Sequence, residues 1–187
     1  THLSCYLLTL AKHHPMHKDL PDESTQLAHL QRIHDDMSAR GFEHYEISNF
    51  AKPGHRSKHN SSYWHGTHYL GLGTSAHSFN GNSRQWNVAN NQQYIQSLQQ
   101  NNIPFEKEEL SSVQQLNEYI MTSLRLMEGC DLHFVQEKFG EKQAAQLKTE
   151  AVAFINMNWL MEADKHLVLT DRGKLFADKI AAELFFD

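Results

Sequence analysis

The stretch YEISNFAKPGHRSKHNSSYWHGTHYLGLGTSAHSF, residues 45–79, decides how this chain is read. Tyr45, Ile47 and Phe50 read as one short apolar strand over residues 44–50, and Lys52-Pro53-Gly54 breaks it. A polar, histidine-rich loop carrying His59-Asn60-Ser61-Ser62-Tyr63-Trp64 follows. The chain then returns through Tyr69-Leu70-Gly71-Leu72-Gly73 to Thr74-Ser75-Ala76-His77-Ser78, so the loop lies between two strands. Loops that hold rigid aromatic rings and imidazoles on a scaffold are usually binding loops.

Working toward the N-terminus, residues 3–10 (LSCYLLTL) form a continuous apolar run of strand length, the pattern of a strand buried on both faces. Asp22 can cap a helix in which Leu27, Leu30, Ile33 and Met37 recur at helical spacing and which Gly41 stops. Strand, helix and strand at this spacing predict a parallel βαβ unit. Two or three strands are only part of a sheet, so the front half reads as the trailing end of a barrel. The start at Thr1, without an initiator Met, fits a piece of a longer protein.

Toward the C-terminus, residues 80–110 are amide-rich and read as a connection containing a short helix near residues 91–100. Ser112 with Gln115 suggests a capping box for a helix burying Leu116, Tyr119, Ile120, Leu124 and Met127, ended by Gly129. Asp131 caps a short helix stopped by Gly140. A third helix over residues 141–156 buries Ala144, Leu147, Ala151, Phe154 and Ile155. Residues 159–169 read as strand, turn and strand, and Thr170 or Asp171 caps a last helix with Leu175, Phe176, Ile180 and Leu184 inward. Three helices, a hairpin and a final helix give a winged-helix-like order.

The fold class is therefore α/β plus α+β. Residues 1–105 are the C-terminal part of an incomplete (β/α) barrel, and residues 106–187 a mostly helical, winged-helix-like domain. Histidine follows the same division: of 14 in the chain, only His133 and His166 lie beyond residue 77.

Over 187 residues, apolar side chains make up 40% and charged ones 21%, an ordinary globular composition with enough chain for a real core. No apolar run approaches the ~20 residues of a membrane helix. The net charge of −5 gives no general attraction to nucleic acid or acidic membranes. Cys5 and Cys130 are the only thiols, without C-x-x-C spacing, which suits a reducing cytoplasm. Cys5 reads as a small buried hydrophobe. His13, His14 and His17, or His65 and His68, have metal-compatible spacings without Cys or carboxylate partners, and read as surface imidazoles.

An imidazole four and five residues before a Tyr and a Trp could ligate haem iron while the rings stack on the porphyrin; the alternative is a loop pinned by its own aromatic packing. Residues 45–79 closely resemble the radical S-adenosylmethionine proteins related to oxygen-independent coproporphyrinogen III oxidase, the HemN/HemW type. They look most like its haem-chaperone branch, in which an H-N-x-x-Y-W motif is associated with haem binding. That motif is matched at His59, Asn60, Tyr63 and Trp64. The resemblance runs from the first strand to Leu169-Thr170-Asp171-Arg172-Gly173-Lys174, and covers the C-terminal half of such a protein.

Several expectations follow from the resemblance. Haem would be bound by His59, with His59 on the iron, and by Tyr63 and Trp64, for delivery to client proteins. Gly71 and Gly73 would lie on a barrel strand where the backbone approaches a ligand closely, with His77 and Thr9 facing S-adenosylmethionine. The oxidase branch has an apolar residue where His77 stands. In that branch the full protein would oxidatively decarboxylate coproporphyrinogen III to protoporphyrinogen IX, and this is the alternative function. Radical chemistry needs a C-x-x-x-C-x-x-C motif to hold a [4Fe–4S] cluster. With two Cys this chain has no such ligands and no catalytic residues of its own, so the cluster and S-adenosylmethionine belong to the full-length parent and its missing N-terminal half. A winged-helix nucleic-acid module is the minor alternative. Residues 111–187 carry 8 Lys and Arg against 12 Asp and Glu, and the hairpin turn pairs Asp164 with Lys165, so no basic wing is present.

Overall fold

The structure, a computed structural model, describes residues 1–6, 8 and 10–187. At the N-terminus, β1 (His2–Ser4), α1 (Glu23–Ala39), β2 (Glu43–Glu46) and β3 (Asn49–Ala51) build a three-stranded sheet in the order β1-β3-β2. Both pairings are antiparallel, with Leu3 opposite Phe50 and His44 opposite Phe50. The expected single strand over residues 44–50 is thus a hairpin. β1 and β2 flank β3 instead of forming neighbouring strands of a parallel βαβ unit.

The reason is a side chain. Glu46 is buried, and its carboxylate accepts from Ser48 N (3.1 Å) and from the Asn49 amide, closing the turn from inside. Apolar alternation carries no trace of such a closure. Of the expected strand over residues 3–10, only Leu3 and Ser4 among the described residues lie in β1. β1 is paired on one edge only, and Leu3, Tyr6 and Leu8 are exposed within this chain. Cys5 is half-buried and follows the strand. Asp22 caps α1 as expected, accepting from Thr25 N at 2.7 Å.

The histidine-rich segment expected as a loop contains a helix, α2 (Lys58–Trp64), capped by Ser57, whose hydroxyl accepts from Asn60 N at 3.2 Å. Beyond it, β4 (His77–Phe79), β5 (Ser83–Asn87) and β6 (Phe105–Glu109) form an antiparallel sheet in sequence order, with α3 (Asn91–Gln99) between the last two. The expected short helix is present. The supposed connection around it contains two strands, because Ser83-Arg84-Gln85-Trp86-Asn87 and Phe105-Glu106-Lys107-Glu108-Glu109 meet in register as polar strands. Their stabilisation comes from cross-strand pairs such as Arg84–Glu108 rather than from an apolar face that composition would reveal.

The C-terminal part comprises α4 (Ser112–Leu124), β7 (Cys130–Asp131), α5 (Leu132–Phe139), α6 (Glu141–Asn156), β8 (Leu160–Ala163), β9 (His166–Leu169), α7 (Asp171–Lys174) and α8 (Ala177–Glu183). β7, β9 and β8 form an antiparallel sheet in that order. The capping box of α4 lies one residue earlier than expected, at Ser111 and Gln114. Asp131 caps α5 as expected, and the β8–β9 turn places Asp164 and Lys165 at φ 46° and 65°. The last helix divides in two. A Cβ on Gly173 would stand 1.8 Å from the Trp159 carbonyl oxygen, so only glycine lets α7 lie against the start of β8.

The buried core, with Leu116, Ile120, Leu124, Leu147, Leu167 and Ile180, is drawn from residues 116–184, and Ile47 and Phe186 pack against it. Among the core positions expected from periodicity, Met127 is the exception: it is 40% exposed. The N-terminal sheet docks on this part by main-chain bonds. Ile47 N donates to Arg125 O and Met127 N to Tyr45 O, each at 3.1 Å. Among the described residues no closed barrel is formed.

Candidate functional site

Helical spacing gives α2 two faces. His59 and Tyr63, one turn apart, meet edge to face with centroids 5.2 Å apart, and Tyr63 continues onto Tyr69 at 5.2 Å. His59 is exposed and Tyr63 nearly half exposed, so this face looks outward. Asn60 and Trp64, also one turn apart, look inward. The Asn60 amide donates to Glu46 at 3.4 Å, and the guanidinium of Arg125 lies 5.0 Å from the Trp64 ring centroid. Arg125 reaches Glu46 at 3.9 Å and Asp178 at 2.6 Å. The four matched residues of the motif therefore divide between two tasks: Asn60 and Trp64 seat the helix on the Glu46–Arg125 pair, and His59 and Tyr63 remain available.

Tyr63 and Trp64 border a cleft of about 780 Å³ between the segment after α2 and the helices α4 and α5. One wall carries Tyr63, Tyr69 and Phe79; the other carries Tyr119 and Phe134, whose rings are 4.4 Å apart. The cleft is large enough for a flat polycyclic ligand and supplies rings from both sides. The Trp64 indole nitrogen is buried and donates to nothing among the described residues. The acids of the cleft are engaged: Glu118 pairs with Arg84 at 2.9 Å, Glu128 with Arg56 at 2.6 Å, and Asp131 caps α5. Burial drives the Tyr119 hydroxyl well above the usual tyrosine value, so it stays protonated. Its oxygen accepts from Asp131 N at 3.1 Å.

His59 sits one helical turn behind Tyr63 and does not line the cleft, whereas His65, His68 and His166 do. His77 is exposed on β4 and packs against Trp86, with centroids 6.1 Å apart. The two glycines have separate reasons. A Cβ on Gly71 would strike the His77 carbonyl oxygen at 2.1 Å, so the close approach there is chain against chain. Gly73 has φ +100° and its carbonyl accepts from Asn87 Nδ2 at 2.8 Å. Thr9 lies outside the described residues.

Sequence reading missed the far wall of the cleft. Tyr119 and Phe134 sit on different helices, and their meeting leaves no local signal. In the sequence Tyr119 shows only as an inward position of its helix.

The two thiols do not fit an iron–sulfur cluster. Cys130 is fully buried, and its thiol is pushed up to about 12 by burial, so it is no ready thiolate.

A second cleft, of about 380 Å³, lies where α1 and the N-terminal sheet meet α7 and α8. Its polar wall links His34 to Asp171 (3.2 Å), Asp171 to Lys174 (3.0 Å) and Lys174 to His44 Nδ1 (3.3 Å). Burial and the Lys174 charge lower His44 to about 4. For Asp171, burial alone would raise the carboxyl, but Lys174 and His34 together hold it below the usual carboxylate value.

Residues 110–176 match the HemN C-terminal domain family. The heme chaperone HemW of Bacillus subtilis is 28% identical over 162 residues, which is 86% of this chain and 43% of that protein. The heme chaperone HemW of Mycobacterium tuberculosis strain CDC 1551 is 32% identical over 166 residues, 88% of this chain and 40% of the relative. Among solved structures, coproporphyrinogen III oxidase (HemN) from Escherichia coli, described as a radical SAM enzyme, superposes with a TM-score of 0.69 over 90% of this chain and 43% of its own. At 18% identity that likeness concerns the fold. The chain spans well under half the length of these relatives. Its resemblance to the HemN/HemW type thus runs along most of its length, with a match to the HemN C-terminal domain family at residues 110–176.

Proposed function

We propose that this chain is the C-terminal part of a HemW-like radical-SAM protein and that it takes part in binding haem or a porphyrin for delivery to client proteins. The observation that carries this reading is the ring-walled cleft that Tyr63 and Trp64 border, at the helix holding the H-N-x-x-Y-W residues. Haem is cargo here. The rings would stack on its faces, and an imidazole would hold the iron through a neutral nitrogen. We assign that role to His59, which lies outside the cleft lining, one helical turn from Tyr63. The named relatives support the same reading.

The rest of the architecture belongs to this proposal. Residues 1–105 are the trailing part of a barrel that residues upstream would complete, and residues 106–187 are a winged-helix-like domain. S-adenosylmethionine and the [4Fe–4S] cluster belong to the parent's cysteine-bearing half. His77 would face S-adenosylmethionine in the parent; the expectation of a strand at Gly71 and Gly73 fails, since both precede β4 in irregular chain. Among the described residues no helix is long and apolar enough to cross a membrane, and a cytoplasmic setting suits two unpaired thiols.

Haemin titration tests the site. His59→Ala should shift or abolish the Soret band of bound haemin, while His65→Ala and His68→Ala should not. An unchanged spectrum and affinity in His59→Ala, with loss in His68→Ala, would move the iron into the interior of the cleft and overturn the assignment of His59.

A further inference from the structure

We infer that Lys138 determines specificity at the ring-walled cleft by pairing with a carboxylate on the edge of the flat ligand; the inference rests on the haem or porphyrin reading above. Lys138 stands in the last turn of α5 and lines the cleft. Its ammonium lies 5.6 Å from the Phe134 ring centroid and 5.2 Å from that of Phe139. The two rings hold the lysine stem over the aromatic wall while the charged tip stays exposed.

The charges around it leave Lys138 without an internal partner. Glu118 is taken by Arg84, Glu128 by Arg56, and Asp131 by the N-terminus of α5. Among the described residues no carboxylate pairs with Lys138. A flat apolar ligand lying against Phe134 would therefore meet one uncompensated cation at its rim. A neutral polycycle leaves that charge unanswered, whereas a ring system bearing carboxylates answers it. Because the tip is exposed, the pair is modest and salt-sensitive, which suits release of a cargo better than permanent retention.

Haemin and haemin dimethyl ester, titrated at low and at high salt, test this. The intact chain should prefer the dicarboxylate, and Lys138→Gln should weaken haemin binding roughly two- to fivefold, the range of an exposed ion pair. The same substitution should leave the ester unaffected, and Lys138→Arg should restore the preference. High salt should shrink the preference in the intact chain. Haemin binding that is insensitive to esterification, or a Lys138→Gln loss shared equally by ester and acid, overturns the role of Lys138 and leaves the haem reading standing. Binding of neither compound by the intact chain overturns both.

Discussion

Glu46 connects more of the structure than any motif residue does. From inside the β2–β3 turn its carboxylate takes bonds from Ser48 N, Asn49 and Asn60, and Arg125 approaches it at 3.9 Å. Removing it strands buried donors and leaves Arg125 with Asp178 as its carboxylate partner. Glu46→Ala should therefore cost roughly 1–3 kcal/mol per unsatisfied group, in the way buried polar groups lose their desolvation compensation. Chemical denaturation that left its stability unchanged would mean the hairpin is held by other contacts.

His44 makes a second prediction at this scale. Its ring stacks on Phe50 at 4.1 Å, faces Lys174 at Nδ1 and the Ile47 carbonyl at Nε2, and is held neutral, with its pKa lowered to about 4. The unfolded chain takes up the proton first as pH falls, from about 6.5. Stability present above that value is therefore lost progressively down to about pH 4, with about 2 kcal/mol gone between pH 7 and pH 5. Urea unfolding at the two pH values, compared with His44→Gln, should show this slope diminished in the variant.

Among the elements, α2 is the one whose formation was least expected. Its residues have middling helix propensity, and seven residues are too few for a helix to persist by itself. It is held by the Ser57 cap at one end and by Trp64 under Arg125 at the other. Ser57→Ala should cost about 1 kcal/mol, and through α2 it should also disturb the alignment of His59 with Tyr63, seen as altered aromatic chemical shifts of Tyr63. The α7–α8 break is the opposite case, fixed by a close approach of backbone. Gly173→Ala places a methyl against the Trp159 carbonyl, and a loss of at least about 1–3 kcal/mol is expected in thermal unfolding.

Across the whole molecule the core is unevenly distributed. The continuous apolar cluster belongs to residues 116–184, while the front part contributes a small sheet with exposed Leu3, Tyr6 and Leu8. Residues 111–187 produced alone should unfold cooperatively, and their amides should exchange more slowly than those of the first hundred residues of the intact chain. Leu147→Ala, at a fully buried position of the cluster, should cost about 2–5 kcal/mol.

The same distribution explains what was legible. The sequence by itself determined α4 to α6, the Asp22 and Asp131 caps, the Asp164-Lys165 turn and most of the C-terminal core, and narrowed the last cap to Thr170 or Asp171. Each of these is written in residues within a turn or two of one another, as helical period, capping side chain or turn chemistry. Tertiary structure alone decided three others. The β2–β3 hairpin replaced a strand because a buried carboxylate closes it. The polar β5–β6 pair formed through partners about twenty residues apart. The cleft took its far wall from Tyr119 and Phe134, which meet only when α4 and α5 pack. Such contacts are set by side-chain burial and distant partners, quantities that neither hydrophobic period nor local propensity encodes.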